Sequence, residues 1–476
     1  MTLFTLDQLI DDILVQLIVA LPLCDLLAIR QTCKRFSHLT KLRLIWYTRF
    51  SLDVLARQLP IPGPFLHVHD IAANDLEWRT RRALLLDKCW RTPSSRDLLP
   101  HIQLSISSED VSKVILLYGT SNILAVFPSK LHLWHVDASV HLSLRTAHFS
   151  SEWVSPSPGS DLVVVRDLFN TGLLAVQSQH SIEILTVDSS QNFVCRKRLY
   201  QACGKLVGFY DQWLLLKTGD LYTEQEATSS IGVTLVCSWD AEDDGQKYVL
   251  PWIPAYGEFV GFTVFSSYLV IIWDSCLATF LLPESTPIPV GGTTRTIHPS
   301  QQFRFRQRIR APATITACRS RAIPGIKYPH PAPSDAVDCL TIIARPAEHR
   351  TMLGPFSPYG GAVSRSLLYV ASKPSEPLAF GLASIPLHLA GDFQAISAGP
   401  SGRGVWMEEY NIRQCSAQDT LTGGGLFTTV ECDDYSHPLA TLDCDASEAE
   451  VHLDFDDGMG RIAVGIGRDI HVIDML

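Results

Sequence analysis

Three stretches of the sequence share one pattern: NILAVFPSKLHLWHVD at 122–137, GLLAVQSQHSIEILTVD at 172–188 and GRIAVGIGRDIHVID at 460–474. Each consists of a β-prone run, a short turn, a second β-prone run and an acidic residue, the pattern typical of a hairpin. Weaker copies are QWLLLKTGDLY at 212–222, in which residues 218–220 would form the turn, and YLVIIWD at 268–274. The copies predict a domain built from repeated β-hairpins.

The spacing of the copies predicts the architecture of that domain. The first two begin 50 residues apart, close to the roughly 40–50 residues of a propeller blade. Five more intervals fit before the last copy if the Pro-rich stretch near 311–335 and the Gly/Pro stretch near 354–361 are insertions. We therefore expect a mainly β protein in which residues 98–476 form a β-propeller with seven blades, or alternatively eight. Residues 98–104 are expected to pair with the last blade and close the ring.

Composition limits the class of protein. Of 476 residues, 46% are hydrophobic and 18% are charged, with a formal net charge of -10. This balance predicts a folded chain and opposes general binding to nucleic acid, which needs cationic surface. The apolar run at 13–23 contains Gln16 and Pro22 and is too short for a membrane span.

Cysteine usage predicts a reducing compartment. The 12 cysteines are scattered without any C-x-x-C pair, and none of the five Asn residues starts a glycosylation sequon. We expect free thiols, no structural zinc, no other metal and no cofactor. The predicted location is the cytoplasm, the nucleus or both.

Acidic residues are concentrated near the carboxyl end, where residues 431–476 include 12 Asp or Glu and only 2 Lys or Arg. The clusters at 431–434 and 454–458 are predicted to lie in solvated loops, with a partner-facing acidic patch as the alternative. A calcium loop at 454–458 is not expected because its glycine and closing acid are misplaced.

The first fifty residues carry apolar residues at three- and four-residue steps, which predicts three short helices, the first ending at Pro22. Their apolar positions exceed what so small a core can cover, so the surplus predicts a partner. Residues 60–64 include three prolines and end this module. A further helix is predicted from Asn74 or Asp75 to Trp90. The predicted domains are 1–59, a hinge and linking helix at 60–97, and the β domain at 98–476.

These residues resemble the F-box family. Its pattern appears here as an apolar helix, then Asp25-Leu26-Leu27, then Cys33-Lys34-Arg35-Phe36 and Trp46, over about 45 residues. Asp7 stands where the family usually has proline. The resemblance implies a large fungal-type F-box protein with a WD-repeat-like propeller, docked on a Skp-type adaptor and through it on a cullin. The residues that it implies for the helical core and adaptor docking are Leu6, Ile10, Ile13, Leu17, Leu26, Leu27, Cys33 and Trp46.

Two further features suggest partner contacts in the β domain. In FRFRQRIR at 303–310 apolar and basic residues alternate, which predicts one strand with Arg304, Arg306, Arg308 and Arg310 along one face. Such guanidinium groups could bind an acidic or phosphorylated segment, although a solvated strand is the simpler interpretation. GPSGRGVW at 399–406 resembles a Gly-Arg-x-Gly-Val-Trp signature of large fungal F-box proteins, with Arg403 and Trp406 as matching residues. Its glycines suit a turn before a strand, and a turn role is the simpler interpretation of this segment, with a partner contact as the alternative.

The common catalytic motifs are missing from the sequence, which has no G-x-S-x-G, H-E-x-x-H or P-loop. We therefore expect no enzyme. The F-box resemblance implies instead the substrate receptor of an SCF ubiquitin ligase, which binds a protein substrate. One alternative is an enzyme on a propeller scaffold, which would need convergent titratable groups such as Asp434 and His437. The other is a scaffold without a role in ubiquitin transfer, in which the helices are a structural cap.

Overall fold

A computed structural model describes residues 9–91 except 58 and 65, and a set of segments beyond residue 100. Those segments are 101–105, 109–137, 146–157, 161–168, 172–179, 181–200, 204–218, 232–236, 247–250, 257–265, 268–282, 295–305, 309–318, 339–346, 365–371, 379–385, 393–399, 401, 403–408, 411–422, 425–438 and 450–476. The described residues form two compact units, a helical unit before residue 93 and a β unit after it. The protein is mainly β, with small antiparallel sheets and a short N-terminal helical region.

The helical unit contains five α-helices and two shorter helical turns among its described residues. They are α1 (Asp11–Ala20), α2 (Leu23–Arg30), α3 (Lys34–Leu39), α4 (Arg43–Phe50), a π-helical turn (Ser51–Leu55), a 3-10 turn (Val68–Asp70) and α5 (Ala73–Arg91). None of the helices in the described part of the chain is both long and apolar enough to cross a membrane.

Four helices lie within the described residues 9–50, so the prediction of three is wrong. The apolar spacing from Ile29 to Phe36 predicted one helix, but the chain makes a turn between these residues. At this turn the Thr32 hydroxyl donates to the Ile29 carbonyl oxygen at 2.7 Å. Cys33 then adopts an extended backbone before α3. A local bond of this kind competes with helix continuation. The break after α1 lies at Leu21 and Pro22, as predicted.

The linking helix packs on the same core as α1–α4. The apolar face predicted for it is buried throughout α5, and consists of Leu76, Thr80, Ala83, Leu86 and Trp90. Leu76 and Ala83 join a cluster with Trp46 of α4. The helical unit therefore buries apolar side chains from both sides of the proline-rich stretch.

The β unit contains seven sheets among its described residues. The first has β2 (Lys113–Leu116), β3 (Asn122–Val126), β4 (Lys130–Val136) and β5 (Ala147–Val154); the second has β6 (Val163–Arg166), β7 (Leu173–Gln177), β8 (Ser181–Val187) and β9 (Phe193–Tyr200); the third has β10 (Lys205–Tyr210), β11 (Trp213–Thr218), β12 (Gly232–Val236), β13 (Lys247–Leu250) and β17 (Arg295–Thr296).

The fourth has β14 (Phe259–Phe265), β15 (Tyr268–Trp273), β16 (Cys276–Leu281) and β18 (Gln301–Arg304); the fifth has β19 (Ile309–Cys318), β20 (Cys339–Pro346), β21 (Arg365–Ala371) and β22 (Ala379–Ile385); the sixth has β23 (Phe393–Ala398), β24 (Arg403–Glu408), β25 (Asn411–Thr422) and β26 (Gly425–Pro438). The seventh has β27 (Val451–Asp456), β28 (Arg461–Ile466), β29 (Asp469–Asp474) and β1 (His101–Ser105). Pairing is antiparallel except between β13 and β17.

The three strong sequence copies are hairpins, as predicted: β3 with β4, β7 with β8, and β28 with β29. The tight turn predicted at 218–220 is wrong, because β11 pairs with β12, which begins at Gly232. The pairing predicted for residues 98–104 with the last hairpin is confirmed over the described residues, since β1 pairs with β29. That pairing joins the beginning of the β unit to its end.

Apolar clusters lie between sheets that follow one another. Leu133 of the first sheet and Leu174 of the second share one cluster, and Leu214 of the third packs with Ile184 of the second. A further cluster brings Val472 of the seventh sheet against Ile123 of the first. The last sheet therefore packs on the first.

The stretch 303–310 does not form one strand, which corrects the arginine-strand prediction. Arg304 ends β18 in the fourth sheet, whereas Arg310 lies in β19 of the fifth. The Phe305 and Ile309 amides donate to the carbonyl oxygens of Ser275 and Asp274, which moves the chain out of β18. Arg306 and Arg308 lie outside the described residues. An alternating pattern cannot reveal such a crossing between sheets.

Other segments expected to be loops lie in strands. Residues 309–318 form β19, although 311–335 was expected to be an insertion. Its register shifts between Arg310 and Ala313, where Pro312 lacks an amide donor. The acidic residues at 431–434 lie within β26, and Asp454 and Asp456 lie in β27. The predicted insertion at 354–361 is outside the described residues.

Candidate functional site

The first helix has two neighbouring apolar stripes that differ in exposure. Leu14 and Ile18 are buried in the helical core. Ile10, Ile13 and Leu17 are 63%, 44% and 46% exposed. Ile13 and Leu17, four residues apart, lie on one side of the helix, and Ile10 stands just before it at the N-cap position. These three exposed side chains are here named the α1 stripe.

Arg35 of α3 holds the beginning of α1 in place. Its Nη2 donates to the Leu9 carbonyl oxygen at 2.6 Å, and its Nε donates to Asp11 Oδ1 at 2.9 Å. A carboxylate in the first helical turn also suits the positive end of the helix dipole. The α1 stripe is therefore presented by an anchored helix end.

The residues implied for docking divide between core and surface. Leu26 and Trp46 are fully buried and serve the core, while Leu27 is half-buried against it. Cys33 is exposed, as are the three residues of the α1 stripe. Leu6 lies outside the described residues. The structure therefore leaves the α1 stripe as the apolar part of the set that faces solvent.

Arg30 connects α2 to α5 behind this surface. Its guanidinium donates to both oxygens of Glu77, at 2.6 and 3.0 Å, and to the Thr40 carbonyl oxygen at 3.1 Å. The Trp46 indole donates to the same carbonyl at 2.9 Å. Arg81 of α5 also contacts Glu77, at a longer distance of 3.4 Å.

A second site, in the β unit, was missed by sequence reasoning. Asp454, Asp456 and Asp457 are buried, so the prediction of a solvated acidic loop is wrong. Asp454 accepts hydrogen bonds from the Leu116 amide at 2.8 Å and from Arg166 Nη1 at 2.7 Å. This carboxylate joins the seventh sheet to strands of the first and second.

The other two carboxylates bind backbone amides. Asp456 accepts from the Gly119 and Met459 amides at 2.6 and 2.9 Å, and Asp457 accepts from the Ser401 amide at 2.9 Å. Burial raises the pKa of Asp456 to about 6, against the opposing effect of these amide donors. Burial raises the pKa of Asp457 as well. Gly119 has φ 70°, which glycine adopts without strain.

Arg166 is the cation at the centre of this network. Its guanidinium lies 3.4 Å from the centroid of the Tyr118 ring and donates to the Leu116 carbonyl oxygen at 2.5 Å. Burial raises the pKa of the Tyr118 phenol, and this effect is larger than the opposing one of the Arg166 charge, which lowers it. The carboxylates of Asp454, Asp456 and Asp457 accept hydrogen bonds from other parts of the protein, and this network connects the seventh sheet to its neighbours.

The two residues singled out in the 399–406 segment are also buried. Arg403 and Trp406 are only 6% and 4% exposed in β24, which pairs with β23 and β25 on either side. Burial leaves little of either side chain for a partner to contact, and their role in partner binding stays a prediction. Arg304 is exposed at the end of β18, and the side chain of Arg310 is outside the description.

In the described part of the chain, no group of three His, Cys, Asp or Glu side chains is placed so that it could hold a metal ion. Asp434 and His437 both lie in β26, where no side chain is described. The sequence matches no protein-family model, and no curated protein matches it significantly.

Proposed function

We propose that the seven sheets are the blades of a β-propeller. Three observations support this arrangement: sheets of mostly four strands in chain order, apolar clusters between consecutive sheets, and packing of the seventh sheet on the first. The β1 strand completes the last blade from the beginning of the unit. Such closure protects sheet edges.

Small-angle X-ray scattering of the intact chain tests the propeller. If the sheets form a closed ring, the scattering profile should fit a disc-shaped β unit together with the helical unit. Lysozyme and a known seven-bladed propeller would calibrate the profile. Scattering of an extended row of sheets would contradict the proposal.

We further propose that the protein is the substrate receptor of a cullin-type ubiquitin ligase, in which the helical unit is an F-box that docks on a Skp-type adaptor. The α1 stripe is the observation that carries this proposal. An anchored helix that exposes Ile13 and Leu17, with Ile10 exposed at its N-cap, is suited to lie in a hydrophobic groove or against a partner helix. The β unit would then bind a protein substrate, and ligase subunits would transfer ubiquitin to it by proximity.

The test is binding of purified adaptor to the intact chain and to Leu17→Asp. A charge buried in an apolar interface costs several kcal/mol, so we expect binding to weaken by at least about 100-fold. Because Leu17 is exposed in the free chain, the thermal melt of the variant should match the wild type.

Leu85→Asp provides the matched control. Leu85 is an exposed leucine on α5, outside the α1 stripe, and its replacement introduces the same charge. This variant should bind adaptor normally. Failure of the wild-type chain to bind under conditions where a known F-box protein binds would refute the proposal and favour a structural cap.

A further inference from the structure

A series of aromatic rings in the first sheet ends at the surface. The His132 ring lies between Phe127 and Phe149, with centroid distances of 4.6 and 5.2 Å. Phe149 of β5 also meets Trp134 of β4 at 5.6 Å, and both of its contacts are edge-to-face, at 78° and 73°. Aromatic pairs favour this geometry. The Phe149 ring is therefore held in a fixed position, although the residue is 49% exposed.

Glu152 lies at the same end of the series. It is the cross-strand partner of His132, and Phe149 is the partner of Trp134, so the two pairs follow one another on one face of the sheet. His132 Nε2 donates to Glu152 Oε2 at 3.0 Å. The Glu152 side chain is 42% exposed. A half-exposed ring and a half-exposed carboxylate therefore contact the same imidazole.

His132 does not balance the charge of Glu152. Its Nδ1 is buried and has no hydrogen-bond partner, which fits a neutral ring with its one proton on Nε2. Burial is the largest influence on the His132 pKa and lowers it, against the opposing effect of Glu152. The carboxylate therefore keeps a net negative charge beside an exposed aromatic ring.

The other end of the series already holds a cation of the chain itself. Lys130 Nζ lies 5.3 Å from the Phe127 ring centroid and donates to Glu109 Oε1 at 3.0 Å. A cation over an aromatic face is attracted by the ring, and a carboxylate adds a charge-assisted bond. At the Phe149 end the same two components are present, but no Lys or Arg of the described residues pairs with Glu152 or stacks on Phe149.

We propose that Phe149 and Glu152 form a docking site for an arginine side chain of a partner protein. The guanidinium lies on the exposed Phe149 ring and donates to Glu152, which His132 holds in position. Arginine suits this site better than lysine because its planar guanidinium stacks on rings and presents several donors to one carboxylate. The site lies in the β unit and is independent of adaptor docking at the α1 stripe.

The test compares the binding of two probes, Nα-acetyl-arginine amide and Nα-acetyl-citrulline amide, to the intact chain by saturation-transfer NMR titration. The side chains of the probes have nearly the same shape, but citrulline is uncharged. We expect saturable binding of the arginine probe and weaker binding of the citrulline probe. Phe149→Ala and Glu152→Gln should each weaken arginine binding by about two- to fivefold, the size of an exposed cation–π contact or ion pair.

Tyr200→Ala and Glu450→Gln are the matched controls. Tyr200 is an exposed aromatic residue on the last strand of the second sheet, as Phe149 is in the first, and Glu450 is an exposed carboxylate. Both variants should bind the arginine probe as the wild type does, and thermal melts check that every variant folds. Equal binding of the two probes by the wild type, or unchanged arginine binding in Phe149→Ala and Glu152→Gln, would overturn the proposal.

Discussion

Asp456 is a carboxylate that the fold removes from water while giving it only neutral amide donors. Burial raises its pKa to about 6 from an ordinary value of 3.8. Its charged surroundings are Asp457, which repels the ionised form, and Arg166, which favours it. A raised folded-state pKa means that the protonated form is the one favoured by folding. The resulting stabilisation is present below pH 3.8 and is lost as pH rises through about 6.

We expect Asp456→Asn to remove part of the pH dependence of stability. Between pH 4 and 7 the wild-type free energy of unfolding should lose up to roughly 3 kcal/mol through this group. The asparagine variant lacks that loss but has one oxygen fewer for the two amides. The stability difference between wild type and variant should therefore shrink as pH rises, in urea titrations at several pH values.

Asp161→Asn serves as the control, since Asp161 is an exposed aspartate of the same unit. Its urea titrations should follow the wild-type pH dependence. A constant difference between wild type and Asp456→Asn from pH 4 to 7 would mean that Asp456 does not titrate in this range.

Among the secondary-structure elements, β1 is the strand whose partner is most distant in sequence. It pairs with β29 through five residue pairs, and Leu104 packs with Ile470 and Val472. Gln103, its neighbour on the strand, faces the opposite side and is exposed. Period-2 alternation therefore gives one strand a buried and an exposed position side by side.

Leu104→Asp should destabilise the β unit by about 3–5 kcal/mol, because it buries a charge without a partner. Gln103→Asp places the same residue one position earlier, on the exposed face, and should change stability by less than about 1 kcal/mol. Chemical denaturation followed by tryptophan fluorescence compares the two. Equal effects would show that the β1 register is incorrect.

The secondary-structure elements that could be predicted from the sequence are those with local causes. The hairpins at 122–137, 172–188 and 460–474 follow from turn chemistry and alternation within about fifteen residues. The face of α5 follows from its period. The boundary between α2 and α3 was missed because apolar residues keep their spacing across the Thr32 turn. The arginines of 303–310 were misplaced for a similar reason, since alternation continues where a strand ends.

At the scale of the whole molecule, the sequence could not predict which charges would be buried. The partners of Asp454 and Asp456 lie far from them in the chain: Arg166 is 288 residues from Asp454, and Gly119 is 337 residues from Asp456. The local composition of a segment does not reveal partners that lie so far away in the chain. The cluster of acids near the carboxyl end was therefore predicted to be solvated surface. The available signal was the pair of apolar residues on either side of Asp454, namely Leu453 and Phe455. The α1 stripe, in contrast, was expected as surplus apolar surface, and its three residues are among those that the F-box resemblance implied; the structure adds that they are exposed while Leu26 and Trp46 are buried.

The pairing of β1 with β29 has a consequence for how the chain is made. His101 and His471, which touch across this pair, are separated by 370 residues. At about 5–20 residues per second, a ribosome needs roughly 20–70 s to synthesise the stretch between them. Throughout that time the nascent β1 has no partner strand, while earlier hairpins can already form. Its unpaired amides and Leu104 are then open to wrong contacts, so this strand is the part of the chain that a chaperone would need to shield.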